Sequence, residues 1–221
     1  MGLLNSSIGK KYLMGLAGAG LTLFVAGHMA GNLLIFAGAE MFNKYGHAIV
    51  SNKPLLYGTE AFLILCLLTH VGLAISLTLQ NKSAKPQKYA VTPVTAKKSS
   101  WASSFMAVQG SLILAFIIYH LITFKYGPVY YIEYDGVQMR DLFRLVTESF
   151  QDPMYVGFYV VSLCLLGLHL SHGVSSIFQS LGFNHPRYTP TIKKAGFIYA
   201  VVVAGGFLSQ PLYVFLCMGG Q

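Results

Sequence analysis

Four histidines stand inside long apolar stretches of this sequence, where an ionisable side chain is costly unless something binds it. They are His28, His70, His120 and His169. Imidazole is the commonest metal ligand among side chains. It also serves in proton relays and in hydrogen bonds between packed helices. These rings are the first candidates for chemistry, and their relative positions decide between the possibilities.

The composition places the histidines in a lipid bilayer. Of the 221 residues, 54% are hydrophobic and only 10% are charged, against about 25% charged residues in a typical soluble domain. We expect an all-α fold, one integral membrane domain over residues 1–221 in which five transmembrane helices form a bundle. The five apolar segments lie at about 12–37, 55–79, 103–124, 153–180 and 191–218.

The connecting segments differ in their content of lysine and arginine, and this difference predicts the orientation. With the N-terminus in the cytoplasm, the cytoplasmic side holds most basic residues, and the acidic residues fall on the other side. The net charge of +8 reflects this topology. Because nothing in the chain looks like an element that reads a nucleic-acid groove, we expect no nucleic-acid partner.

Helix geometry converts sequence position into depth, since each residue advances about 1.5 Å along the axis. His28 and His120 should lie about 24 and 25 Å from the cytoplasmic end of their helices. His70 and His169 should lie about 14 and 16 Å from it. The four rings therefore form two layers about 10 Å apart. We expect imidazoles from antiparallel neighbouring helices to meet in a pair at each depth.

Two imidazole pairs suit two six-coordinate haems b, because each iron needs two axial ligands besides its porphyrin nitrogens. Ligation on both sides leaves no position for oxygen and is typical of electron transfer. Glycines flank three of the four histidines and leave room for a flat macrocycle; they are Gly27, Gly31, Gly72, Gly167 and Gly173. His172, one turn from His169, could replace it as the ligand.

Haem propionates need hydrogen-bond donors near a membrane face. On the cytoplasmic side the candidates are Lys10, Lys11, Trp101, Ser103, His172 and Ser176. The lysines and the tryptophan are equally well explained as anchors at the membrane interface.

The ordered set of motifs resembles a known family. Gly27-His28-Met29, His70, His120 and His169-x-x-His172-Gly173 are similar to the single-chain, di-haem cytochrome b anchor of succinate dehydrogenase and fumarate reductase. The resemblance covers nearly the whole chain and implies that His169, not His172, is the fourth ligand. Gly167 stands where some fumarate reductases of the family carry a glutamate proposed to move protons, so that route is not expected here.

The resemblance also implies partners. A flavoprotein and an iron–sulfur subunit would handle succinate and fumarate on the cytoplasmic face of the bacterial cytoplasmic (inner) membrane. This chain would hold no succinate site and would pass electrons between the iron–sulfur subunit and menaquinone. Two alternatives remain: a di-haem cytochrome b of another quinone-linked dehydrogenase, such as hydrogenase or formate dehydrogenase, and a proton-coupled transporter whose histidines relay protons.

A quinone needs an apolar slot with one or two polar partners. Near the outer histidine layer the candidates are Asn32, Glu40, Asn43 and Glu60. Glu60 is the most suggestive, because a carboxylate one turn into a membrane span would be half-buried. An ordinary solvated acid at the start of a helix explains it equally well.

Overall fold

A computed structural model describes residues 6–83 and 105–219, the side chain of Lys82 excepted. Within these ranges the chain folds into seven α-helices and one antiparallel hairpin. A 3₁₀ turn, Leu33–Ala37, follows the first helix, and a π-helical turn, Leu121–Lys125, follows the fourth. The elements are α1 (Ser7–Asn32), α2 (Ala39–Ser51), α3 (Lys53–Ser83), α4 (Met106–His120), β1 (Tyr131–Tyr134), β2 (Val137–Arg140), α5 (Leu142–Ser149), α6 (Pro153–Ser180) and α7 (Thr189–Cys217).

Within residues 6–83 and 105–219, five helices are long and apolar enough to cross a membrane, which agrees with the predicted five-helix bundle. They span Ser7–Ala37, Lys53–Asn81, Met106–Lys125, Pro153–Ser180 and Thr189–Cys217. Large apolar side chains cover their outer faces; Leu23, for example, is 76% exposed and Leu216 72% exposed. Monomeric soluble proteins rarely expose so much apolar surface to water. The protein is therefore a multi-pass membrane protein.

The first span begins five residues earlier than the sequence predicts. The side chain of Ser6 caps α1 by accepting a hydrogen bond from the Gly9 amide at 3.0 Å. Lys10 and Lys11 consequently lie inside the helix and not before it. The Lys10 ammonium donates to the Ser76 hydroxyl at 3.1 Å, so the long side chain links the first turns of α1 to α3.

Four of the spanning helices, α1, α3, α4 and α6, form a ring in which each helix contacts the next. α1 packs along α3 and α6, while α4 packs against α6 and touches α3. Neighbours in this ring run antiparallel. The diagonal pairs, α1 with α4 and α3 with α6, run parallel and make at most glancing backbone contacts. The diagonal helices therefore face each other across the middle of the ring.

The last helix, α7, lies outside this ring and packs mainly against α6, with a smaller contact to α1. Small residues allow the close approach. A Cβ atom on Gly167 would lie 3.0 Å from Cβ of Ala204. A Cβ atom on Gly206 would lie 2.5 Å from the sulfur of Met29. α7 thus holds α1 and α6 in place from outside the ring.

One end of the bundle carries α2, the hairpin and α5, and we name it the hairpin end. The polar residues between the first two apolar segments predict a loop, but Ala39–Ser51 is an amphipathic helix with Phe42 and Asn43 buried. The hairpin turns at Asp135 and Gly136, whose φ angles of 52° and 75° are those of a type I′ turn. The sequence from Asp141 to Val146 predicts a short surface helix, and the structure has α5 there, with Asp141 as its N-cap.

Two polar residues of α2 fasten this helix to the rest of the hairpin end. Asn43 is completely buried. Its amide donates to the Asp141 carboxylate at 2.8 Å, and its carbonyl accepts from the Phe143 amide at 2.9 Å. The Lys44 ammonium lies 2.7 Å from Glu40 and 2.5 Å from Asp135, and these two carboxylates raise the pKa of Lys44 above its ordinary range.

Candidate functional site

The structure brings the four membrane histidines together in the two predicted combinations. The ring centres of His28 on α1 and His120 on α4 are 5.9 Å apart. Those of His70 on α3 and His169 on α6 are 6.3 Å apart. We name them the hairpin-end pair and the mid-bundle pair. His169, and not His172, is thus the ring that faces His70.

Each pair spans a diagonal of the helix ring, so the expectation of antiparallel neighbours is wrong. α1 and α4 run in the same direction, as do α3 and α6. Sequence position fixes only the height of each residue and not which helices are adjacent. Neighbouring helices have their backbones packed together, whereas the backbones of the diagonal helices lie farther apart. Both pairs therefore face the inside of the ring from opposite sides.

The spacing of the rings agrees with imidazoles that share one metal ion. A bond from imidazole nitrogen to a metal such as zinc is about 2.0–2.1 Å long. The ring centre lies about 1.2 Å behind the bonded nitrogen, so two rings on opposite sides of one metal have centres about 6.4–6.6 Å apart. The observed separation is 6.3 Å in the mid-bundle pair, close to this distance, and 5.9 Å in the hairpin-end pair, which is shorter. Two aromatic rings packed directly against each other have ring centres about 4.5–7 Å apart. The separation alone therefore does not distinguish direct packing from a shared metal ion.

Open space lies beside the histidines at three of the glycines that the sequence identified. A Cβ atom added at Gly27, Gly72 or Gly173 would meet nothing within 4 Å. At Gly31, by contrast, it would lie 2.5 Å from the Tyr45 hydroxyl, so this glycine serves the packing of α2 on α1. The four histidines are themselves only half-buried. A flat group could therefore extend sideways from between the rings.

Two glycines that the sequence analysis did not single out support the mid-bundle pair. A Cβ atom on Gly18 of α1 would lie 3.4 Å from Cε1 and Nδ1 of His70. A Cβ atom on Gly110 of α4 would lie 3.6 Å from Cε1 of His169. Each ring thus rests against the backbone of a neighbouring helix. Both glycines lie away from the histidines in sequence, so only the packing of the helices reveals them.

The Nδ1 atoms of the four rings have different surroundings. His120 Nδ1 lies 3.1 Å from the Tyr159 hydroxyl, and His70 Nδ1 lies 3.4 Å from the Met14 carbonyl oxygen. His28 Nδ1 lies 3.4 Å from the side-chain amide of Asn32. His169 Nδ1 is buried and has no hydrogen-bond partner. A buried polar atom without a partner is unusual, and it fits a ring whose orientation is set by a bound group.

The described residues contain no group of three or more His, Cys, Asp or Glu side chains that could hold a bare metal ion. A haem brings four equatorial nitrogens of its own, so two protein imidazoles are enough to complete its iron site. The facing rings of each pair supply those two imidazoles, so the residues present fit a haem at each pair.

Four of the six candidate propionate donors fall in the described residues, toward the end of the bundle opposite the hairpin end. Lys10 is already hydrogen-bonded to Ser76, and Lys11 is exposed. Ser176 and His172 are half-buried. Trp101 and Ser103 lie outside the described residues.

The four quinone candidates do not form one cluster of free polar groups. Glu60 accepts a hydrogen bond from the Lys125 ammonium at 2.6 Å, and Glu40 pairs with Lys44. Asn43 uses both ends of its amide to join α2 to α5. Asn32 donates to the His28 carbonyl at 2.8 Å, which places it beside the hairpin-end pair.

Sequence reasoning missed Tyr159, which is the polar partner of a candidate ligand. Tyr159 is 4% exposed and belongs to an apolar cluster with Phe116 and Phe150. Its hydroxyl faces His120 on one side and the Tyr155 hydroxyl, also 3.1 Å away, on the other. Two tyrosines four residues apart inside an apolar span were the available signal, since such residues share a helix face.

Comparison with known proteins bears on which family this arrangement belongs to. No family model matches the chain, and no solved structure matches it. The chain is 24% identical over 163 residues, 72% of either chain, to the succinate dehydrogenase cytochrome b558 subunit of Bacillus subtilis (strain 168). The chain is thus similar to a cytochrome b subunit of succinate dehydrogenase, and it has five apolar helices long enough to cross a membrane in its described residues.

Proposed function

We propose that this chain is the membrane cytochrome b subunit of a succinate dehydrogenase or fumarate reductase complex. It transfers electrons between an iron–sulfur subunit and menaquinone through two haems b. The observation that carries the proposal is the pair of facing imidazoles on each diagonal of the helix ring, at 5.9 and 6.3 Å. The similarity to a succinate dehydrogenase subunit supports the choice of complex.

In this proposal each haem has two histidine ligands, His28 with His120 and His70 with His169. When bound, the two haems supply one-electron carriers at two depths of the membrane. Imidazoles of these four histidines would hold the two haems and would leave oxygen no free coordination site. The surrounding apolar side chains exclude water from the path, and Gly27, Gly72 and Gly173 leave space at the rings.

The orientation follows from the charges. The N-terminus and the basic segment between α3 and α4 lie on the cytoplasmic side of a bacterial inner membrane. The mid-bundle pair is then the inner one, nearer the flavoprotein and iron–sulfur subunits, and the hairpin-end pair is the outer one, nearer the quinone. The chain itself forms one membrane domain and has no succinate site.

The decisive experiment measures the haem content of the purified full-length chain. A redox-titrated absorption spectrum with a haem-to-protein ratio should give two haems b per chain. His28→Ala and His70→Ala should each reduce the ratio to one, because each removes one of two axial ligands. His47→Ala is the matched control, since His47 lies on α2, outside both pairs, and should leave two haems.

Three results would contradict the proposal in different ways. Two haems retained in either alanine variant would disprove the ligand pairs. A reduced spectrum without haem b bands would favour the proton-coupled transporter. Co-purification with a nickel or molybdenum protein, instead of a flavoprotein with fumarate activity, would assign the chain to another quinone-linked dehydrogenase.

A further inference from the structure

We propose that Tyr159 and Tyr155 are positioning residues for His120. Their hydroxyls form a hydrogen-bond chain that receives the Nδ1 proton of His120 and directs Nε2 into the space between the diagonal helices. This inference rests on the proposed function, since it assumes that His120 is a haem ligand. It adds two residues that neither the sequence motifs nor the similarity to a cytochrome subunit indicates.

The chain of polar groups can be followed from the ring outward. His120 Nδ1 and the Tyr159 hydroxyl are 3.1 Å apart, and the hydroxyls of Tyr159 and Tyr155 are also 3.1 Å apart. The Thr123 side chain interacts in turn with the Tyr155 hydroxyl. Thr123 then donates to the Tyr119 carbonyl oxygen at 3.2 Å. This series of hydrogen bonds ends at the Tyr119 carbonyl oxygen, a backbone acceptor on α4, the helix that carries His120.

Iron binding would fix the direction of these hydrogen bonds. A neutral imidazole whose Nε2 binds a metal carries its proton on Nδ1, so this nitrogen must donate. Hydroxyl hydrogens can rotate, which allows His120 to donate to Tyr159, Tyr159 to Tyr155, and Tyr155 to Thr123. Every hydroxyl then donates once and accepts once. The contacts therefore satisfy the tautomer that a ligand needs.

Packing holds the tyrosines in place. The Tyr155 and Tyr159 rings stack with centres 4.7 Å apart and planes 28° apart. Tyr159 also packs edge-on against Phe116 and Phe150, each with ring centres 5.0 Å from its own. Because its ring is confined on several sides, the Tyr159 hydroxyl can define the rotation of the His120 ring.

In the mid-bundle pair the corresponding contacts within the described residues are weaker. His169 Nδ1 has no partner, and His70 Nδ1 lies 3.4 Å from a backbone carbonyl. A hydrogen bond from the distal nitrogen of a ligand raises the ligand's basicity, which favours the ferric state of a bound haem. The tyrosine chain should therefore lower the midpoint potential of the hairpin-end haem without affecting the mid-bundle haem.

The test is a redox titration of the haems in the full-length chain with Tyr159→Phe and Tyr155→Phe. The hairpin-end haem is identified as the component lost in His28→Ala. Tyr159→Phe should shift its midpoint potential upward, and Tyr155→Phe should give a smaller shift of the same sign. The electron paramagnetic resonance signal of the same haem should change in Tyr159→Phe, because the ring plane of His120 is no longer fixed.

Tyr199→Phe is the matched control. Its hydroxyl also donates within the membrane, to the Thr22 carbonyl at 2.6 Å, but it does not contact either histidine pair in the described structure. Tyr199→Phe should leave the midpoint potentials of both haems unchanged.

An unchanged midpoint potential of the hairpin-end haem in Tyr159→Phe, or equal shifts of both haems, would overturn the inference. If Tyr159→Phe loses the hairpin-end haem, the test passes to Tyr155→Phe. An unchanged midpoint potential of that haem in Tyr155→Phe, or equal shifts of both haems, would then overturn the inference. A wild-type chain without haem would instead disprove the proposed function.

Discussion

Replacing Asn43 by alanine should destabilise the hairpin end. Asn43 is completely buried and joins α2 to the start of α5. Although the sequence makes it a quinone candidate, both ends of its amide are engaged by protein groups. We therefore expect a structural defect from this substitution, and quinone turnover per folded molecule should remain unchanged.

The size of the effect follows from the two bonds that are lost. The Phe143 amide is left without its acceptor, which costs about 1–2 kcal/mol. The Asp141 carboxylate loses a donor in a charge-assisted bond, which costs about another 1.5–2 kcal/mol, although it keeps the Arg144 amide at 3.0 Å. The total is about 2.5–4 kcal/mol, equivalent to a decrease of about 5–16 °C in melting temperature for a chain of this length.

The assay is thermal unfolding of the purified protein in detergent, with Asn52→Ala as the control. Asn52 is exposed and accepts one hydrogen bond, from the Leu55 amide at 3.2 Å, at the start of α3. Loss of such a cap costs about 0.5–1 kcal/mol. If Asn43→Ala lowers the melting temperature no more than Asn52→Ala does, the proposed role of Asn43 is refuted.

Three further predictions concern the site and its surroundings. His169→Ala should lose one haem per chain while His172→Ala keeps both, and the reverse result would transfer the ligand role to His172. Glu60→Gln should slow quinone turnover at least about tenfold if Glu60 handles a proton, with haem content unchanged; normal kinetics would remove it from the quinone site. Arg144 lowers the pKa of Glu148 by pairing with it at 2.7 Å. The stability that this pair contributes is present above the unfolded pKa of glutamate, about 4.3. It is lost as the pH falls through the lower folded value, so melting temperatures of Glu148→Gln and the parent should converge in acid.

The helices and the histidine pairs could be predicted because both depend on local regularities. Apolar segments of sufficient length identify membrane spans, and a constant rise per residue converts position into height. The predicted heights therefore paired His28 with His120 and His70 with His169, although the side-by-side arrangement of the helices was not known. The diagonal placement was not predictable, because height says nothing about which helices are neighbours.

The hairpin end was predicted less completely. Asp135-Gly136 is a recognised turn signal, yet the flanking strands have only four residues each and alternate weakly. The helix at Ala39–Ser51 depends on burying Phe42 and Asn43 against a distant segment, α5. The role of Tyr159 likewise depends on a contact across 39 residues of sequence. Such long-range contacts have no local signature in one sequence.

The diagonal placement of the histidines has a consequence for how the protein is made. A pair cannot exist until the later of its two helices has left the ribosome. His120 follows His28 and precedes His169 by about 50 residues, which at about 5–20 residues per second corresponds to about 2–10 s of translation. Both histidines of the hairpin-end pair are therefore synthesised before His169, and if the pairs hold haem as proposed, we expect the hairpin-end haem to be inserted first.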